Sequence, residues 1–231
     1  MSLILCTDTS TKACSAALIQ DAEVISKTII HEDGFSHAEQ LHILLQKVMD
    51  EANIPWDSLD AVAIGKGPGS YTGLRIGVSA VKGICYARGI PLISIDTLRI
   101  MAAHAIEQGE IPSDALLRPM IDARRMEVYS ASYSPVLALI SNVKALVLDE
   151  QSFMAELAQG PVYFFGDGME KCRHLFEGNE NAFFIKEVIP AAWSMAALAH
   201  QAFEKKQFED VAYFEPFYLK EFLAKDPKKL V

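Results

Sequence analysis

The chain has 231 residues, of which 51% are hydrophobic and 22% charged, a composition typical of a globular protein that buries a substantial core. No apolar run approaches the length of a membrane span, and the N-terminus lacks the basic start of a signal peptide, so we expect a cytoplasmic protein. The formal net charge of −9 excludes a large basic nucleic-acid footprint, because phosphate contacts require clustered Lys and Arg.

The first part of the chain predicts a meander of three strands, followed by helices and strands in alternation. Residues 3–6, 14–19 and 24–30 are short apolar runs separated by turn residues, a pattern that indicates strands. Leucines at helical spacing then predict a helix over 36–52, opened by an S-x-x-E capping box that starts at Ser36. The other predicted elements of this first lobe, residues 1–108, are strands over 61–64 and 91–95 and helices over 70–88 and 97–107.

The rest of the chain, residues 109–231, predicts a smaller second lobe. Strands over 116–121 and 127–133 flank a turn that carries two adjacent arginines. The alternation of strands and helices along the whole chain indicates an α/β fold. The later candidates are strands over 143–148 and 162–165 and helices over 152–158 and 194–206.

A glycine-rich segment, residues 65–73, lies between a predicted strand and a predicted helix, where free backbone N–H groups can hold an anion. The segment fits neither the Walker A pattern nor the dinucleotide fingerprint, so a tight structural turn is an equally good interpretation. The acidic turn after the first strand has the composition of a phosphate turn in actin-like folds, with an ordinary turn as its alternative. The phosphate-binding-like residues are Asp8, Thr9, Ser10, Gly67, Gly69 and Ser70.

The sequence contains no pattern that predicts catalysis by this chain alone. Its four cysteines lie far apart without a CxxC pair, and its six histidines include no HExxH motif, so we expect reduced thiols. Neither a G-x-S-x-G elbow nor a cysteine nucleophile with a recognisable partner is present. We therefore predict no catalytic residue, no metal and no cofactor.

Two features of the second half have both a binding and a structural interpretation. Arg124 and Arg125 could bind a phosphate or a partner's carboxylate, but a surface ion pair with Asp122 or Glu127 is the preferred interpretation. A cluster of aromatic residues near the C-terminus could stack bases, but we expect it to anchor the C-terminal segment to the core. The cluster consists of Tyr213, Phe214, Phe217, Tyr218 and Phe222.

Small residues form a stripe on the helix predicted over 70–88. Gly73, Gly77 and Ala80 lie on one helical face and permit close approach of another backbone. Each interior glycine costs up to about 1 kcal/mol relative to alanine, which suggests a packing reason. The approaching element could belong to this chain or to another subunit, and the sequence leaves both open.

Four segments, residues 4–10, 67–77, 121–124 and 215–219, together resemble the TsaB family, formerly named YeaZ. The resemblance implies an α/β, two-lobed actin-like (ASKHA, ribonuclease H-like) fold with mixed sheets. It also implies a part in forming N6-threonylcarbamoyladenosine (t6A) at position 37 of tRNAs that read codons beginning with A. In that pathway the family is a non-catalytic partner of a TsaD-type transferase and, through the complex, of a TsaE-type ATPase.

The resemblance further implies that the helices over 36–52 and 70–88 form the subunit interface, both in a homodimer of the chain alone and in the TsaD contact. Gly73 and Gly77 would then mark the closest approach of the two subunits. Because of the net charge, tRNA is expected to bind only within the complex. The predicted interface residues are His37, Leu41, Leu44, Leu45, Gly73, Leu74, Gly77, Val78, Ala80 and Val81.

The sequence departs from the related TsaD subunit at a metal motif. Where TsaD carries HxxxH after the strand equivalent to residues 91–95, this chain has Thr97 and Met101, which do not replace imidazole as ligands. Two alternatives stay open: an ATP-dependent phosphotransferase of the actin-like superfamily, and a metallopeptidase. The first needs a second phosphate hairpin and a catalytic carboxylate in the second lobe, and the second needs the missing histidine pair.

Overall fold

A computed structural model describes residues 1–31 and 37–220, and two five-stranded mixed sheets form its framework. Ser36, and with it the predicted capping box, lies outside the described residues, as does Phe222. No helix among the described residues combines the length and the apolarity that crossing a bilayer requires. The α/β fold with mixed sheets is as predicted.

The first sheet has the strand order β3-β2-β1-β4-β5. Its first three strands form the predicted antiparallel meander, and β4 and β5 continue the sheet parallel to β1. Every residue of β1 and β4 is buried, as expected for central strands covered on both faces. The strands are β1 (Leu3–Asp8), β2 (Cys14–Gln20), β3 (Glu23–Ile30), β4 (Ala61–Gly65) and β5 (Leu92–Ile95).

Helices cover both faces of the first sheet, and the alternation along β1 assigns its side chains to them. Leu3 and Leu5 belong to the core under α1 (His37–Ala52) and α2 (Tyr71–Arg88). Ile4 and Cys6 point to the opposite core, which α3 (Thr97–Glu107) and α6 (Ala196–Glu204) complete. The sheet therefore holds α1 and α2 side by side on one surface of the molecule.

The second sheet has the strand order β10-β9-β6-β7-β8, with β6, β9 and β10 parallel and the β6–β7–β8 connections antiparallel. Helix α3 joins the two halves, because Ile100 packs in a core of the first sheet and Leu98 in a core of the second. The elements are β6 (Leu116–Asp122), β7 (Glu127–Tyr133), β8 (Leu139–Val147), α4 (Met154–Leu157), β9 (Val162–Phe165), α5 (Glu170–Phe176) and β10 (Ala182–Ile185).

The chain returns to the first sheet after the second is complete. Helix α6 packs against that sheet, and Glu209 then pairs with Leu92 on edge strand β5. Phe214 is buried in the first-lobe core, which confirms the anchoring role for that residue, whereas Tyr213 is 85% exposed. The predicted boundary at residue 108 falls between α3 and β6, but the last described elements contact the first sheet.

Candidate functional site

The turn after β1 holds a buried carboxyl group. Asp8 has no exposed surface, and its Oδ1 accepts hydrogen bonds from the backbone N of Ser10 at 2.9 Å and from the Ser10 Oγ at 2.7 Å. Its Oδ2 has no hydrogen-bond partner among the described residues. Burial raises the pKa of Asp8 to about 7, and the two bonds from Ser10 oppose that rise.

The glycine-rich segment closes directly onto this turn. The backbone N of Ser70 donates to the Ser10 carbonyl oxygen at 2.7 Å, and a Cβ on Gly69 would lie 2.2 Å from the same oxygen. A Cβ on Gly65 would lie 1.7 Å from Asp8 Oδ2. Of the predicted phosphate-binding-like residues, Gly69 and Ser70 therefore lie directly against Ser10, which is bonded to Asp8, whereas Gly67 is bonded to Thr97.

The inner face of α2 presses against the same turn. The Thr9 Oγ1 donates to the Gly73 carbonyl oxygen at 2.8 Å. A Cβ on Gly73 would lie 2.1 Å from the Thr9 carbonyl oxygen, and one on Gly77 would lie 2.3 Å from the Thr9 Oγ1. The prediction that these two glycines mark the closest approach of another subunit is therefore wrong, because the approaching backbone is the chain's own.

The two residues at the TsaD metal-motif positions have packing roles. Thr97 exchanges two hydrogen bonds with Gly67: its Oγ1 accepts from the Gly67 N at 3.0 Å, and its backbone N donates to the Gly67 carbonyl oxygen at 3.0 Å. Met101 is buried against Gly166, which has a left-handed backbone with φ of 98°. Thr97 thus ties α3 to the glycine-rich segment, and Met101 packs α3 against the residue that follows β9.

Most of the predicted interface residues are buried beneath α1 and α2. Ala80 keeps some exposed surface, and so does His37, whose Nε2 donates to the Thr11 carbonyl oxygen at 2.8 Å. The other eight are buried in the chain's own core, which corrects the prediction for them. They are Leu41, Leu44, Leu45, Gly73, Leu74, Gly77, Val78 and Val81.

The outer surface of the same two helices carries a groove of about 560 Å³. A second stripe of small and apolar residues on α2 forms its floor, with the spacing i, i+4, i+7, i+11: Ile76, Ala80, Gly83 and Ala87. A Cβ on Gly83 would meet no atom within 4 Å. Sequence reasoning included only Ala80 of this stripe, although the helical spacing of all four residues is present in the sequence. The rest of the lining is Ala38, His42, Trp56, Ser79, Ile84 and Arg88.

The predicted ion pairs of Arg124 and Arg125 are not formed. Asp122 pairs with the Lys171 Nζ at 2.7 Å and also accepts from the backbone N of Arg124 at 2.5 Å. Glu127 pairs with Lys220. The carboxylates that were predicted to pair with the arginines therefore pair with lysines that are distant in the sequence.

Two mixed five-stranded sheets joined through a shared helix, with an acidic turn after the first strand, define an actin-like α/β protein. The chain shows this fold in common with the activator of 2-hydroxyisocaproyl-CoA dehydratase from Clostridium difficile, at a TM-score of 0.53 and 11% identity over 89% of this chain and 97% of that one. YeaZ from Pseudomonas aeruginosa is more similar, with a TM-score of 0.77 and 26% identity over 95% of this chain and all of that chain.

Sequence comparison leads to the family. A family model for TsaD, tRNA N6-adenosine threonylcarbamoyltransferase, matches residues 26–229. The tRNA threonylcarbamoyladenosine biosynthesis protein TsaB of Escherichia coli is 30% identical, in an alignment of 231 positions that covers 96% of this chain and 96% of that protein. The chain belongs to the TsaB (YeaZ) family, as the resemblance implied.

Proposed function

We propose that this chain is a non-catalytic subunit in t6A formation at position 37 of tRNA, acting in the cytoplasm beside a TsaD-type transferase. A TsaE-type ATPase joins through the complex, and tRNA binds to the assembly rather than to this chain alone. The proposal is supported by relatives whose names place them in threonylcarbamoyladenosine biosynthesis. The observation that carries it is the contrast between a closed Asp8 turn and an uncovered groove between α1 and α2.

The closed turn supports a non-catalytic role. A phosphotransferase of the actin-like class needs room for nucleotide phosphates beside the turn after β1. Here the Ser10 carbonyl oxygen is bonded to Ser70, the N-cap of α2, and Thr9 is bonded to Gly73, so the start of α2 lies directly against the turn. Opening it would break both hydrogen bonds and separate a glycine face from the backbone against which it packs.

The groove supports a helix-binding role. Its floor of small side chains lets the backbone of another helix approach closely, and Trp56 and Ile84 add apolar surface. Apolar anchors surrounded by polar residues such as His42 and Arg88 are the usual composition of a protein interface. We propose that helices of the TsaD-type subunit fill this groove in the working complex, and that a second copy of the chain fills it when the chain is alone.

A Gly83→Leu substitution tests this function. The new Cβ meets no atom within 4 Å in the isolated chain and leucine is a better helix former than glycine, so the monomer should keep or slightly raise its Tm, while the filled groove should reject a partner helix. We expect loss of co-purification with a TsaD-type subunit, and t6A formation reduced by roughly a hundredfold when a few kcal/mol of interface energy are lost. Size-exclusion chromatography reports the homodimer in parallel.

A matched control is Gly109→Leu, where a Cβ also meets nothing within 4 Å but the site lies beyond the end of α3. This variant should pair with the TsaD-type subunit and support t6A formation as the wild type does. Normal pairing and normal t6A formation by Gly83→Leu would contradict the groove assignment. An omission assay in which t6A forms at full rate without this chain would contradict the whole proposed function.

A further inference from the structure

The turn between β6 and β7 presents two free guanidinium groups. Arg124 and Arg125 are both exposed, and both have left-handed backbone conformations, with φ of 71° and 50°. Neither side chain forms an ion pair within the part of the chain that the structure describes. Two adjacent, unneutralised arginines are notable in a chain whose net charge is −9.

The nearby carboxylates are all engaged by other groups. Asp122 pairs with Lys171, and Glu127 pairs with Lys220. Asp167 accepts a hydrogen bond from the backbone N of Asp122 at 2.9 Å. The two lysines are therefore paired with Asp122 and Glu127, and neither arginine at the tip of the turn has a carboxylate partner among these residues.

The backbone beneath the arginines is held in a fixed shape. The Ala123 N donates to the Glu127 carbonyl oxygen at 3.0 Å, and the Glu127 N donates to the Arg124 carbonyl oxygen at 3.1 Å. The Lys171 Nζ adds a bond to the Glu127 carbonyl oxygen at 3.0 Å. The backbone that carries the two arginines is therefore already fixed, so binding costs the conformational entropy of the side chains but little of the backbone's.

We infer that Arg124 and Arg125 form a contact site for the phosphodiester backbone of RNA. A guanidinium group matches the oxygens of a phosphate in a bidentate arrangement, and two adjacent groups on an exposed turn suit an extended polyanion better than a small molecule in a pocket. The inference rests on the proposed function, in which tRNA binds to the assembled complex. There this turn would bring positive charge to an otherwise acidic subunit.

The test measures tRNA affinity against salt concentration for the complex with a TsaD-type subunit, comparing wild type with the double variant Arg124→Gln/Arg125→Gln. We expect affinity about tenfold weaker at low salt and a slope of log K against log salt that is smaller by about 2, one unit for each lost phosphate contact. Binding of tRNA to the chain alone is expected to be weak at physiological salt, and lowering the salt to about 20 mM strengthens the phosphate contacts enough for a second measurement that requires no partner.

The matched control is Lys205→Gln/Lys206→Gln, which removes the same charge from two exposed neighbours at the end of α6, one of them also with positive φ. The control should leave affinity and slope unchanged. An arginine variant with unchanged slope in both measurements overturns the inference while leaving the proposed function intact. A variant that fails to assemble with the TsaD-type subunit overturns it too, because the turn would then contact protein. If wild type itself does not assemble, the proposed function fails and the chain-alone titration decides the inference, which is overturned if wild type shows no binding at low salt or if the arginine variant binds equally well.

Discussion

Two adjacent stripes of small residues run along α2 and do different things: an inner side that faces the turn after β1, and an outer side that faces the groove. On the inner side, Gly73 and Gly77 pack against the turn after β1, at distances that no Cβ could tolerate. On the outer side, Ala80 and Gly83 form the floor of an open groove, and Gly83 has empty space around it. Small residues at helical spacing therefore indicate a close approach without saying what approaches, and burial in the folded chain decides between the two.

The inner stripe is already packed within the chain, whereas the outer stripe is still open to another molecule. Two hydrogen bonds, from Ser70 to Ser10 and from Thr9 to Gly73, hold the inner stripe against the turn after β1. Burial of this stripe stabilises the chain itself. The outer stripe has no such partners in the described chain, and apolar surface exposed beside it gains stability only when another molecule covers it. Changes on the inner side should alter folding, whereas changes on the outer side should alter assembly.

The largest effect on stability is expected from protonation of Asp8, in the turn against which the inner side of α2 packs. Because the folded chain raises the pKa of Asp8 from about 4 to about 7, it holds that proton more tightly than the unfolded chain does. The contribution of Asp8 to stability is therefore present at pH 4 and is lost as the pH rises towards 8, by about 4 kcal/mol. Urea unfolding of wild type and Asp8→Asn across this range measures it.

The comparison with Asp8→Asn isolates the group, since all other titrations cancel in the difference. The unfolding free energy of the variant relative to that of wild type should increase between pH 4 and pH 8, because asparagine cannot ionise. A stability difference that stays constant over this interval would mean that Asp8 ionises at its ordinary pKa, and that the turn is more open than its contacts indicate.

The next largest effect is expected from Gly73→Leu. The new Cβ would lie 2.1 Å from the Thr9 carbonyl oxygen, a backbone atom that cannot rotate away, so α2 must shift. Overpacking of this kind costs about 3 kcal/mol, measured as the change in unfolding free energy or as a lower Tm. A variant that melts like wild type but no longer self-associates would reverse the assignment of the two sides.

How far the sequence could predict the structure depended on whether a pattern has one physical meaning. The three-strand meander, the buried strand over 61–64 and the end of the helix over 70–88 were correct, because alternation, apolar runs and a glycine after the helix, here Gly89 in a left-handed C-cap, are local signals. The core positions Leu41, Leu44 and Val78 were mistaken for interface residues, since an apolar stripe has the same period whether a sheet or a subunit covers it.

The second lobe shows the other limit, which is contact between distant parts of the chain. Strand β10, at the sheet edge beside β9, and helix α5, of seven residues or about two turns, were not predicted. The ion pairs of Asp122 and Glu127 depend on Lys171 and Lys220, far along the sequence, and only the fold brings them together. Because these lysines pair with the carboxylates, the two arginines are left without an ion pair among the described residues, and the sequence around the turn could not predict this.

The smallest effect, on the outer side of α2, is expected from Gly83→Ala. Alanine is favoured over glycine within a helix by about 1 kcal/mol, and a Cβ at this position meets nothing within 4 Å, so the isolated chain should become more stable by about that amount. The same change at Gly73 should destabilise it, because the Thr9 carbonyl oxygen lies in the way. Thermal unfolding of the two variants side by side measures both signs. If Gly83→Ala also lowers the Tm, the groove floor is packed in the isolated chain, and the contrast between the two sides of α2 does not hold.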